Sequence, residues 1–316
     1  MKLLLTFFLL SAVVALRGQD TAAAPGKATL EFKDGDRLVL LGNTVFEREQ
    51  RYGAFEPRLA LALGDIKVSV RNLAWSGDTV FGHARSYFGP PEEGLQRLAG
   101  HLDMLKPTVV MLCYGSELAF EKLNGLPDFL SGYRGLIDLI RAKSPGVRVV
   151  VVAPPPLENL PPPLPDLTTE NKNLSSLRDA LRKLALMQNA FFIDWFELMG
   201  GVPKPGIAAR PLTENGVHYT QQGYEKLAGK LVEGLGLKTP ETPAPALETL
   251  RHAVIAKDTL FFNRWRPQNE TYLFGFRKHE QGQNAKEIPM FDPLIAKGDE
   301  AIQRLKKETL AQLQRP

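Results

Sequence analysis

The sequence predicts a three-layer α/β/α fold with a central parallel sheet, followed by a mostly helical C-terminal extension. Short apolar runs alternate with longer amphipathic stretches from Arg37 onward, and strands that are apolar throughout belong to a sheet covered by helices on both faces. The stretches between them are long enough for the crossover helix that two parallel strands require. A proline-dense segment, KTPETPAPA, ends the alternation, and charged helix-like sequence follows it.

Taken in order, residues 1–18 place Lys2 ahead of an apolar run and then small and polar residues, the layout of an export leader. The run is too short to span a bilayer comfortably. Residues 19–34 read as a linker. RLVLLG is the first strand, REQRYGAFEPRLALAL a helix beginning near Phe46, and IKVSVRNLAW the second strand. A helix at 93–105 precedes TVVMLCYG, a buried strand; DFLSGYRGLIDLIRAK is a helix and VRVVVVAPPP a strand that runs into a proline-dense loop ending at Pro165. LSSLRDALRKLALMQ is a helix, AFFIDW the last strand, and LTENGVHYTQQGYEKLAGKLVEGL places His218 in a glycine-containing loop before an amphipathic helix. The main domain is therefore 35–236, the proline-rich linker 237–246, and the extension 247–316. The extension has helical pattern at 247–265 and 293–313 and too little apolar content for its own core, so it is expected to pack on the main domain.

Lys and Arg exceed Asp and Glu by 39 to 35, without a basic stripe, which removes the electrostatic case for nucleic acid. The one cysteine, Cys113, permits no intramolecular disulfide and sits in an apolar strand, where a thiol is an inert packing group. Asp78, His83, Glu117 and His218 lack metal-ligand spacing, and nothing calls for a cofactor. In the extension, Arg264, Trp265, Arg266, Tyr272 and His279 are candidates to grip a glycan or another polar partner. The alternative is that the aromatics pack and the arginines are solvated. Asn269-Glu270-Thr271 matches a glycosylation sequon.

In a parallel sheet the working residues gather at the carboxyl ends of the strands. Those positions hold Gly42-Asn43-Thr44, Trp75-Ser76-Gly77-Asp78, Gly115-Ser116-Glu117 after Tyr114, and later Asn215-Gly216-Val217-His218. Over about 35–235 these blocks resemble, in order and separation, those of the SGNH/GDSL hydrolases. The resemblance implies their flavodoxin-like fold and ester hydrolysis without a cofactor. The family's first block is Gly-Asp-Ser, so the resemblance puts Asn43 in the aspartate's place and Thr44 in the nucleophilic serine's, with the Thr44 and Gly77 backbone N–H groups as oxyanion donors and His218 as general base. Asn43, Asp78 and Tyr114 are read as substrate contacts.

The departures have chemical consequences. Glu117 stands where the family has an asparagine donor, and losing one such donor costs about 10²–10³ in rate. Asn215 stands where the family has the aspartate that orients the histidine, a change that costs about 10⁴ in serine proteases by favouring the wrong tautomer. Thr44 keeps a hydroxyl but its β-methyl restricts attack; alternatively the hydroxyl caps the following helix. A protonated Glu117 would regain donor character, and Glu214 is an acid near His218, one residue out of register. The reading is an exported hydrolase of ester bonds, acting on O-acyl groups such as those of a carbohydrate. The alternative is an inactive SGNH-fold module that binds a carbohydrate or acyl ligand. A third chemistry pairs Glu117 with Asp78 as acid and base, as in glycosidases.

Overall fold

A computed structural model describes residues 30–87, 89–203 and 210–314; the leader at 1–18 and most of the linker at 19–34 lie outside the described residues. Chain order gives β1 (Asp36–Gly42), α1 (Thr44–Tyr52), α2 (Phe55–Ala62), β2 (Val68–Asn72), α3 (Pro91–Leu105), β3 (Val109–Cys113), α4 (Leu126–Lys143), β4 (Arg148–Val152), α5 (Thr168–Met187) and β5 (Phe191–Ile193). The helices α6 (Trp195–Leu198), α7 (Gln221–Gly234), α8 (Ala244–Trp265), α9 (Glu270–Leu273), α10 (Lys278–Gln281) and α11 (Phe291–Leu313) follow.

The five strands pair in parallel in the order β2-β1-β3-β4-β5. Alternate residues serve opposite faces, as strand geometry demands. Leu38, Leu40, Val109, Met111 and Cys113 join the cluster with α1, α2 and α7, whereas Val39, Leu41, Val110 and Leu112 join that with α3, α4 and α5. The sequence predicts one helix after β1, and the structure has two. Gly53 ends α1 in the left-handed conformation, φ 55°, and a Cβ there would lie 2.8 Å from Ile255 of α8. The break lets α8 cross close to the chain, a tertiary demand that leaves no local signature beyond the glycine.

The extension packs on the main domain through buried polar contacts. Lys257 of α8 is 1% exposed, and its Nζ lies 2.5 Å from Glu56 Oε2, 2.9 Å from Asp258 Oδ1 and 3.1 Å from the Val70 carbonyl. Arg71 pairs with Asp299 of α11, and Lys306 donates to the Ile66 carbonyl at 2.9 Å. Among the described residues no helix is long and apolar enough to cross a membrane.

Candidate active site

In this strand order the chain leaves β1 toward β2 on one side and places β3 on the other, which opens a crevice at their carboxyl ends. Gly42 pairs with Cys113, and a Cβ on Gly42 would lie 2.5 Å from the Cys113 carbonyl oxygen, so glycine is required for the two strand ends to approach. Asn43 follows and caps this approach. Its Nδ2 donates to Ser116 Oγ at 2.9 Å and to Glu117 Oε2 at 3.2 Å, joining the first loop to the third.

The first turns of α1 reach the other two loops. Glu47 Oε2 accepts from the Ser76 amide at 2.8 Å and from the Ser76 hydroxyl. Arg48 Nη2 lies 3.1 Å from Glu214 Oε1, beside the histidine loop. The other three family-like loops are therefore tied by side chains to one short segment of the first, 43–48, with Thr44 inside it.

Thr44 is the first residue of α1, not the cap of a helix starting near Phe46; Asn43 is the N-cap and makes no side-chain capping bond. The Thr44 hydroxyl has no hydrogen-bond partner among the described residues, so the capping alternative fails. Its N–H, an orphan donor at a helix start, is also unbonded among those residues. Gly77 turns with φ +77°, a Cβ there would meet nothing within 4 Å, and its N–H likewise has no partner among the described residues. Two free donors and a positive helix end thus sit in neighbouring loops, as an anionic or carbonyl oxygen requires.

The His218 loop is built from behind. Glu158, in the proline-dense loop after β4, accepts from the amides of Leu212 (2.9 Å) and Thr213 (2.7 Å) and from the Thr213 hydroxyl (2.6 Å). Asn215 Oδ1 accepts from the amides of Val217 (3.1 Å) and His218 (2.9 Å). These two bonds fix which end of the Asn215 amide is oxygen, and they leave its Nδ2 facing His218 Nδ1 at 3.0 Å. An NH₂ group only donates, so Nδ1 is the acceptor and the neutral ring carries its proton on Nε2. A general base of this family needs the opposite tautomer. Burial, then the charge of Arg48, lower the His218 pKa below its ordinary value, with Glu214 opposing. The ring is accordingly neutral at pH 7.

Glu117 is half-buried, and desolvation raises its carboxyl above the ordinary range, against the bond from Asn43. Asp78 and Tyr114, read as substrate contacts, are structural. Asp78 is 2% exposed and paired with the fully buried Arg85 at 2.7 Å, and the Tyr114 hydroxyl lies 3.4 Å from the same carboxylate. Buried and neutralised, Asp78 is also unavailable as the second carboxylate of a glycosidase-like pair. Glu214 points to Arg48 and not to the ring. Cys113 is buried, and desolvation pushes its thiol far up. His83 bonds Thr79 Oγ1 at 2.8 Å.

Sequence reasoning missed Glu47, Arg48 and Glu158. The first two sit three and four residues after Thr44, one helical turn on, where side chains share a face; Glu158 is the acid within an otherwise proline-dense run. Of the extension residues read as candidate contacts for a glycan or another polar partner, His279 stays exposed, while three are committed within the protein. Trp265 is buried against Trp75 and His101, Arg264 pairs with Asp292 at 2.8 Å, and Arg266 lies 3.7 Å over the Trp75 ring, paired with Glu47 at 2.7 Å.

The sequence model of the GDSL-like lipase/acylhydrolase family matches residues 35–226. The chain belongs to this family. Solved structures of similar fold include a protein described as a GDSL-like lipase from Parabacteroides merdae, 16% identical with a TM-score of 0.53, covering 66% of this chain and all of that one. A variant of an acetyl-xylooligosaccharide esterase from Geobacillus stearothermophilus is 16% identical with a TM-score of 0.51, covering 68% of this chain and all of that one. No curated protein matches the sequence significantly. The family match ends before α8, so in this acylhydrolase-family chain the extension is an addition to the matched part.

Proposed function

We propose that the chain is an exported ester hydrolase acting on O-acyl groups, such as those of a carbohydrate, at the crevice around Thr44. One observation carries the reading: segment 43–48 is tied to the Ser76–Gly77 loop, the Glu117 loop and the His218 loop, with two unbonded amides beside it. The ester carbonyl oxygen takes the Thr44 and Gly77 N–H groups. The Thr44 oxygen bonds to the carbonyl carbon, its proton passes to His218, and His218 returns that proton to the leaving alcohol. Water then releases the acyl group by the same route. To accept that proton Nε2 must be bare, so Asn215 must turn its amide and give up its bonds to Val217 and His218, which makes the reaction slow. Export is supported by the leader-like pattern at 1–18.

The Asn215–His218 bond and the Glu117 carboxylate favour a second reading, a module that binds an acyl or carbohydrate ligand without turnover. Hydrolysis of aryl acetates and acetylated polysaccharides by wild type, Thr44→Ala, His218→Ala and Glu117→Asn separates the two. The hydrolase loses activity in the first two variants and gains in Glu117→Asn. Saturable binding that survives Thr44→Ala and His218→Ala, with no product from any form, establishes the module instead.

A further inference from the structure

The extension reaches the second loop of the site from outside the matched residues 35–226. Three of the four residues Trp75, Ser76, Gly77 and Asp78 are clamped by side chains. The Arg266 guanidinium lies 3.7 Å from the Trp75 ring centroid, and its Nη1 donates to Glu47 Oε1 at 2.7 Å. The other oxygen of the same carboxylate holds the Ser76 amide at 2.8 Å and the Ser76 hydroxyl. Trp265 packs edge-on against Trp75, centroids 5.6 Å apart. Arg85 fixes Asp78 and lies 5.8 Å over both tryptophan rings. Gly77, at φ +77° with its N–H unbonded among the described residues, is the one left unclamped.

We propose that Arg266 is a positioning residue: acting through Glu47 and Trp75, it holds the Ser76–Gly77 turn so that the Gly77 amide stays directed into the crevice, which makes the C-terminal extension a working part of the site. Glycine at 77 supplies the conformation the turn needs but no stiffness, so stiffness must come from its neighbours. Arginine suits both demands on position 266, because a planar guanidinium stacks flat on an indole while its edge donates to a carboxylate. Without it, Glu47 Oε1 loses its cation and the carboxylate is free to turn away from Ser76. Lysine restores the charge but not the stack.

Amide hydrogen exchange in the full chain, followed residue by residue, tests the clamp without requiring turnover. In Arg266→Ala the Ser76 amide is expected to exchange about tenfold faster, with Arg266→Lys intermediate. The Leu73 and Trp75 amides, bonded to Leu40 and Gly42 carbonyls at 2.9 and 3.0 Å, keep their wild-type rates, which separates local release from general loosening. The consequence for the reaction rests on the ester-hydrolase reading: with an aryl acetate, kcat falls in Arg266→Ala while KM holds. Unchanged Ser76 exchange in Arg266→Ala overturns the proposal, as does faster exchange with unaltered kcat. If the wild type turns over no ester, the hydrolase reading fails by itself, and exchange at Ser76 still decides whether Arg266 holds the turn.

Discussion

On the ester-hydrolase reading, Asn215→Asp is expected to convert a slow site into a faster one, because a single atom decides the His218 tautomer. In the wild type, Asn215 Oδ1 is occupied by the amides of Val217 and His218 at 3.1 and 2.9 Å, which leaves Nδ2 to face the ring at 3.0 Å. An aspartate keeps both backbone bonds on one oxygen and presents the other to Nδ1, so the ring now holds Nδ1–H and bares Nε2. The opposite change lowers kcat by about 10⁴ in a serine-protease triad, about 5.5 kcal/mol at 1.36 kcal/mol per tenfold. Glu117 still withholds one oxyanion donor, so the expected gain in kcat is about 10²–10⁴. The carboxylate also raises the His218 pKa, which burial and Arg48 now lower. Since that reading makes the neutral ring the base, activity is lost on acidification, and this acid limb moves to higher pH in the variant. Aryl acetate hydrolysis measured against pH, beside ¹⁵N spectra of the imidazole, follows both consequences. An Nδ1–H ring in the wild type refutes the tautomer argument outright; an Nδ1–H ring in the variant without any gain in rate refutes the link from tautomer to turnover.

Two further predictions concern buried charged groups, the first of which docks the extension. Lys257→Ala strands Glu56 and Asp258, which lie 2.5 and 2.9 Å from the buried ammonium; removing one partner of a buried ion pair costs about 3–5 kcal/mol, read as a lowered urea midpoint. Glu49 accepts from the Phe55 amide at 2.6 Å, and burial pushes its carboxyl up to about 8 against that bond. Between the ordinary carboxyl pKa of 4.5 and about 8 the folded state holds a proton that the unfolded state has released. Each pH unit in that window therefore removes up to about 1.4 kcal/mol of stability. Glu49→Gln keeps the acceptor and abolishes the titration. Wild-type stability relative to the variant should fall from pH 5 to pH 8 and level off above; a pH-independent difference contradicts the assignment.

The fold was legible because its signals are local and repeated. The runs containing Leu38, Val109 and Val149 are short and apolar at consecutive positions, as strands covered on both faces are, and each became a buried strand. The break at Gly53 was not legible, since its cause is α8, some two hundred residues away in sequence. At the site, the four blocks were visible as loop sequences, but their partners were not. Glu47, Arg48 and Glu158 are ordinary charged residues until the fold sets them against Ser76, Glu214 and Thr213. Asp78 misled for the complementary reason: a carboxylate in a strand-end loop looks solvent-facing until Arg85, seven residues on, folds beneath it.

The departures at Asn43 and Glu117 are not independent, and this bears on whether the site is decaying or retuned. The family block has aspartate where this chain has Asn43. With glutamate at 117, an aspartate at 43 would set two carboxylates about 3.2 Å apart, where the asparagine now donates. Two like charges at that separation repel by on the order of 5 kcal/mol at an effective dielectric of 20, before solvent screening. One of the two would take up a proton, as in carboxylate dyads. Asn43 instead satisfies both Glu117 and Ser116, so Glu117 is compatible with Asn43 in a way it is not with the family's usual aspartate at that position. Asn43→Asp alone should therefore lower stability at pH 8 and recover much of it by pH 5, when the shared proton returns. The double variant Asn43→Asp with Glu117→Asn should restore stability at both pH values, because donor and acceptor are merely exchanged. Thermal midpoints of the four forms at pH 5 and pH 8 measure this coupling directly. Additive effects at pH 8 would mean that the two positions changed without reference to each other, whereas a strong coupling means that the third loop acquired a carboxylate together with the first-loop donor that accommodates it.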